Sequence, residues 1–152
     1  MRPIDRFLSV AGAAVAARAA GPALAAARKV EVLAAARKVE ALLASPPEAA
    51  APPLPCRLAV CAHLPAAVAQ MRPDLAAAFV ALEPALAWQT RAMPGAPPEF
   101  VNGHANARLL GPQGLERRGG LVAGFSLVAP GVTYPDHDHP PEEIYLVLSG
   151  GA

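Results

Sequence analysis

The chain has 152 residues, 13 basic against 12 acidic, for a net charge of +1, a length that makes at most one domain with room for a core. That balance excludes a nucleic-acid footprint, because the basic residues form no stripe beyond the pairs Arg28/Lys29, Arg37/Lys38 and Arg117/Arg118. Apolar residues make up 54%, but alanine inflates the figure, and no segment reaches the ~20 strongly apolar residues of a membrane span.

Residues 1–45 read as an alanine-rich helical segment, since alanine, leucine, arginine, lysine and glutamate are strong helix formers. Gly21-Pro22 is expected to divide it into two helices. The first 20 residues loosely imitate a secretory leader, with Arg2 and Arg6 ahead of an apolar run. Asp5 interrupts that basic region, and the expectation is a cytoplasmic protein. The heptapeptide AAARKVE stands at 25–31 and again at 34–40. That offset is two and a half helical turns, so the two copies face opposite sides and the repeat is a local duplication.

Pro46, Pro47, Pro52, Pro53 and Pro55 mark a linker over residues 46–62. Cys56 and Cys61 have no second pair to complete a zinc knuckle or a disulfide framework, so both are read as free thiols in a reducing compartment. A helical region follows over 63–98, with helix expected through 64–91, starts at Pro73 and Pro84, and a loop at 93–98. Trp88, in the last part of that helix, is read as packing against the β region. From 99 to 152 the pattern changes to short strands at 105–110 and 121–128, with turns at 111–114 and 129–131. His104 reads as loop and is kept, with the more remote His63, as a distant candidate for a further metal ligand.

The last 20 residues hold the chemistry. Gly131, His137, His139, Glu143 and Gly150 stand in the order G-x5-H-x-H-x3-E-x6-G. Side chains alternate faces along an extended chain, so the odd-numbered His137, His139, Glu143 and Tyr145 can share one face. Pro140 and Pro141 interrupt the ladder between the histidines and Glu143. Ile144, Leu146 and Leu148 make the other face, and 144–148 is expected as a strand buried on both sides. Two imidazoles and a carboxylate this close suit one divalent transition metal: zinc, iron, manganese, nickel or cobalt. His-x-His between Asp136 and Asp138 is also the composition of a solvated turn, but five positions in register favour the metal.

That order is the first of the two sequence motifs of the cupin superfamily. The segment YPDHDHPPEEIYLVLSG, residues 134–150, resembles more specifically the cupin-type dimethylsulfoniopropionate lyases of bacteria. In these a tyrosine precedes the first histidine and another follows the glutamate by two residues, here Tyr134 and Tyr145. The resemblance extends back through 106–131 and more loosely to Trp88. It implies a mainly β cupin fold, a double-stranded β-helix or jelly roll, preceded by an α-helical N-terminal region. It also implies a metal-dependent β-elimination that splits dimethylsulfoniopropionate into acrylate and dimethyl sulfide. Carried over by position, His137, His139 and Glu143 are metal ligands, Tyr145 is the catalytic base, and Tyr134 is a pocket residue.

Two alternatives stand beside the lyase: a non-catalytic metal-binding cupin module, and another metal cupin enzyme, a dioxygenase or isomerase, acting on a small carboxylate. Tyr134 and Tyr145 favour the lyase over both. Family members continue into a second motif with a further metal-binding histidine, whereas this sequence ends at Ala152. The expectation is a truncated barrel over 99–152, with an unpaired apolar edge at its last strand. It is read as a fragment of a longer product, or as a half-barrel completed by a partner such as a second copy in a homodimer. The expected ligand is a small carboxylate substrate, and neither nucleic acid nor membrane is expected as a partner.

Overall fold

Pro3 opens helix α1 (Pro3–Ala19) and Asp5 sits in its first turn, where an acid complements the helix dipole. Its inward stripe is Ile4, Phe7, Leu8 and Ala14, the spacing of an amphipathic helix. The computed structural model describes residues 1–19, 37–91, 94–135 and 143–150. The expected break at Gly21-Pro22, the tandem repeat up to residue 36, and the segment bearing His137 and His139 lie outside these residues.

Residues 37–43 are helical, and strand β1 (Glu48–Ala49) follows. A 3-10 turn over Ala59–His63 leads into helix α2 (Leu64–Gln70). Helix α3 (Pro73–Leu82) starts at Pro73 as expected, and Asp74 Oδ1 accepts the backbone N–H of Leu75 at 2.9 Å. It buries Leu75, Ala78, Phe79 and Leu82, again at helical spacing.

Beyond α3 the structure departs from the helix expected to start at Pro84. Pro84 opens a 3-10 turn over Glu83–Ala85, and Trp88 enters strand β2 (Trp88–Gln89). Proline cannot donate the next helical hydrogen bond, and Leu86, Ala87 and Trp88 are all buried in succession, which one stripe of a helix cannot do. Trp88 donates its backbone N–H to the carbonyl of Cys56 at 2.9 Å, and the Cys56 thiol donates to the carbonyl of Trp88 at 3.2 Å. Cys56 and Cys61 are both free, as read from the sequence.

Helix α4 (Pro98–Gly103) occupies the start of the region expected to be β, and Phe100 is its buried residue. Strand β3 (His104–Leu110) pairs antiparallel with β2, placing Trp88 opposite Ala107 and Gln89 opposite Asn106. On its other side β3 pairs antiparallel with strand β5 (Ala123–Val128), from His104 opposite Val128 to Leu110 opposite Ala123. Strand β4 (Glu116–Arg117) meets Leu110 in parallel and β1 antiparallel, which completes a five-stranded sheet. Gly124 lies opposite Arg108 near an irregularity in the ladder. A Cβ there would stand 2.6 Å from the Ala107 carbonyl oxygen, so this position takes only glycine without moving backbone.

The content is therefore mixed α and β, built on one sheet with helices against one of its faces. On that face Phe125 meets Phe7 of α1 at 4.8 Å and Phe79 of α3 at 5.0 Å between ring centroids, both edge-on, with Trp88 at 6.4 Å. Such pairs add to the area that they bury. Trp88 packs as the sequence implied, but from a strand.

The strand expected at 144–148 is not formed. Leu146 and Leu148 lean on the core, while Tyr145 is 65% and Val147 64% exposed. Period-two burial is kept, but among the described residues no strand pairs with this segment, and its second face stays uncovered. No helix among the described residues is long and apolar enough to cross a membrane.

A charge network ties α1 to the sheet. Arg118 donates to both Asp5 and Glu116, Arg2 donates to the same two carboxylates, and Arg118 also donates to the carbonyl of Leu43 at 3.0 Å. Glu116 and Arg118 are buried, so loss of either strands a charge with its partner inside the protein. The hydrogen bond from Arg2, aided by Arg118, holds the Asp5 carboxyl down at about 2 against its usual 3.8. Its folded-state value is thus depressed, so its contribution is present above about pH 4 and is lost as pH falls toward 2. Asp5→Asn is expected to flatten the pH dependence of stability in that window, measured by urea unfolding at several pH values. Glu116→Ala is expected to cost about 3–5 kcal/mol in the same measurement at pH 7.

Candidate functional site

Strand β3 divides its side chains between the two sides of the sheet. Along β3 the residues Ala105, Ala107 and Leu109 are buried toward the core, and the alternation sends Asn106 and Arg108 to the opposite side. Gln89, paired with Asn106, joins them there. A cavity of about 340 Å³ opens on this side, and its polar lining includes Gln89, Arg91, Asn106, Arg108, Gln113 and Glu143.

Tyr134 stands beside this cavity, held from two directions. Its hydroxyl accepts a hydrogen bond from Arg91 Nη1 at 2.8 Å. Its ring lies edge-on to Phe100 and to His104, both 5.1 Å away, and those two rings stack on each other at 4.5 Å. His104 was expected in a loop, yet it opens β3 and is only 1% exposed. Its Nε2 hydrogen-bonds with Ser126 Oγ at 2.9 Å. Burial lowers its pKa from the usual value, opposed by the Asn106 side chain and assisted by the charge of Arg91. His104 is thus a satisfied core histidine that braces Tyr134.

Glu143 and Tyr145 meet across two residues of chain: the phenol donates to Glu143 Oε2 at 2.5 Å. Both are exposed. That hydrogen bond, with burial and the negative charge adding to it, pushes the phenol up from 10 to about 12, while the nearby Arg91 charge pulls the other way. The structure therefore gathers Tyr134, Arg91, Glu143 and Tyr145 at one region of the sheet face. Among the described residues no group of three histidine, cysteine, aspartate or glutamate side chains could hold a metal. His137 and His139 are not among those residues. His63 is exposed at the end of a 3-10 turn.

Sequence reasoning passed over Arg91, Arg108 and Phe100. The available signal was the alternation from Asn106 to Arg108, which places a basic residue on the face opposite the buried alanines. Nothing local to Arg91 pointed to it, because its partner Tyr134 lies 43 residues on.

A family model described as dimethylsulfoniopropionate lyase matches residues 31–152, well over half of the chain. No curated protein and no solved structure matches the sequence. The Glu143 hydrogen bond generates a spectroscopic expectation, since the chain has only two tyrosines. In metal-free protein Glu143→Gln is expected to bring the Tyr145 phenol down from about 12 toward 10, read by phenolate absorbance during alkaline titration.

Proposed function

The chain belongs to the dimethylsulfoniopropionate lyase family, and from that premise we propose that it is a metal-dependent carbon–sulfur lyase of cupin type that releases dimethyl sulfide and acrylate. The observation that carries this reading is the convergence of Tyr134 and the Glu143–Tyr145 pair at one face of the sheet, beside a cavity lined by arginine. His137, His139 and Glu143 are the residues that would hold one divalent transition metal, with zinc, iron, manganese, nickel or cobalt compatible with imidazole and carboxylate donors. The Glu143 carboxylate is exposed at the cavity, and a carboxylate with two imidazoles is a donor set that such an ion takes. When bound, the ion supplies Lewis-acid stabilisation to charge that builds on a substrate carboxylate.

The chain's own residues supply the rest. Tyr145 takes the proton from the carbon beside the carboxylate, and the electrons of that bond become the new carbon–carbon double bond. The carbon–sulfur bond breaks with its pair going to sulfur, so dimethyl sulfide departs neutral and needs no acid. A phenol is a weak base at neutral pH, and its hydrogen bond to Glu143 makes its proton harder still to remove. Any demand elsewhere on the Glu143 carboxylate frees Tyr145, and the positive charge of Arg91 favours its anion. Tyr134, with its ring braced by Phe100 and His104, offers an aromatic wall for a cationic sulfonium.

The test is headspace detection of dimethyl sulfide from the purified chain supplied with each metal in turn, alongside metal content by mass spectrometry. Tyr145→Phe is expected to abolish gas release with metal content unchanged. His137→Ala and His139→Ala are expected to lose the metal itself. Wild-type gas release from Tyr145→Phe would remove that residue from the mechanism, and oxygen uptake in place of gas would replace the lyase by a dioxygenase.

A further inference from the structure

Four of the described arginines are paired with acids. Arg2 and Arg118 share Asp5 and Glu116, Arg57 pairs with Glu83, and Arg72 pairs with Asp74. Arg91 and Arg108 differ from these. Among the described residues neither lies within ion-pair distance of a carboxylate, yet both line the same cavity on the polar side of the sheet. Arg91 is half-buried there, with one guanidinium nitrogen committed to the Tyr134 hydroxyl at 2.8 Å. A guanidinium carries five donors in a rigid fork, so most of its hydrogen-bonding capacity remains for something else.

The rest of the lining has the same preference. Gln89 and Asn106 are cross-strand partners, so their amides stand side by side on the cavity floor, and Gln113 adds a third. Among the described lining residues Glu143 is the one carboxylate, set against two guanidinium groups. A volume of about 340 Å³ falls at the lower end of small-molecule sites. Guanidinium forks match planar oxyanions, carboxylates above all, by paired N–H donors.

We propose that Arg91 and Arg108, with the amides of Gln89 and Asn106, form a recognition subsite for a small carboxylate anion. This assignment rests on the lyase reading only for which carboxylate is meant; the preference for an anion stands on the cavity. Arg91 has a double task. It grips the ligand's carboxylate while its bond to Tyr134 fixes that ring, so ligand and aromatic wall are held in register by one side chain. Arg108, exposed at the outer part of β3, sets the charge of the entrance.

Isothermal titration of the whole chain, stripped of metal with a chelator, tests the subsite apart from the chemistry. The probes are acrylate and its neutral analogue acrylamide. Saturable acrylate binding without acrylamide binding is expected. Arg91→Gln and Arg108→Gln are each expected to weaken acrylate about tenfold or more, the range of a lost hydrogen bond to a charged group. Arg117→Gln, on β4 and outside the cavity lining, is expected to bind as wild type. Among the described residues Arg108 makes no side-chain hydrogen bond or ion pair, and thermal melting of both variants checks their integrity. No acrylate binding by the wild type, equal binding by both cavity variants, or acrylamide binding as tightly as acrylate would each overturn the subsite. None of these results depends on gas release, so failure of the subsite and failure of the lyase reading are separable.

Discussion

Seven residues of extended chain in β3 send alternate side chains in opposite directions, and the structure is organised around that division. One set, Ala105, Ala107 and Leu109, is small or aliphatic and fully buried, which lets Trp88 and Phe125 from the flanking strands close over it with Phe7 and Phe79 from the helices. The other set, Asn106 and Arg108, follows from the same backbone and faces the cavity. A one-residue slip in register would exchange the two faces, putting a guanidinium among the aromatic rings and alanines at the site. The core and the site are thus two consequences of one pairing.

Helix α1 completes the apolar side although it lies ahead of the span that the family model matches. It is held by two kinds of force. Phe7 and its neighbours bury apolar area, and the ring of Arg2, Asp5, Glu116 and Arg118 fixes where the helix start sits against β4. Burial is indifferent to small shifts along the helix axis, whereas paired guanidinium and carboxylate groups are directional. The charge network therefore sets position more than it adds stability.

At the site, two tyrosines live in different surroundings. Tyr134 receives a proton-donating bond from a cation and is walled by Phe100 and His104, which suits a residue that positions. Tyr145 donates a hydrogen bond to a carboxylate, which holds its proton more firmly, and its ring is largely exposed. Arg91 links the two, bonded to one and electrostatically felt by the other.

Much of this was legible in the residues alone. Pro73 and the spacing of Leu75, Ala78, Phe79 and Leu82 define α3, and the short apolar runs near 105–110 and 121–128 mark the two long strands, because periodicity and turn chemistry are properties of neighbouring residues. The order of His137, His139, Glu143 and the two tyrosines pointed to the family in the same local way. Trp88 in a strand, His104 buried against Ser126, the one-sided packing of Leu146 and Leu148, and the meeting of Arg91 with Tyr134 were decided only by the tertiary structure. Each depends on which distant segment arrives to pair with or cover a residue, and that is settled by burial summed over the whole core rather than by any local pattern.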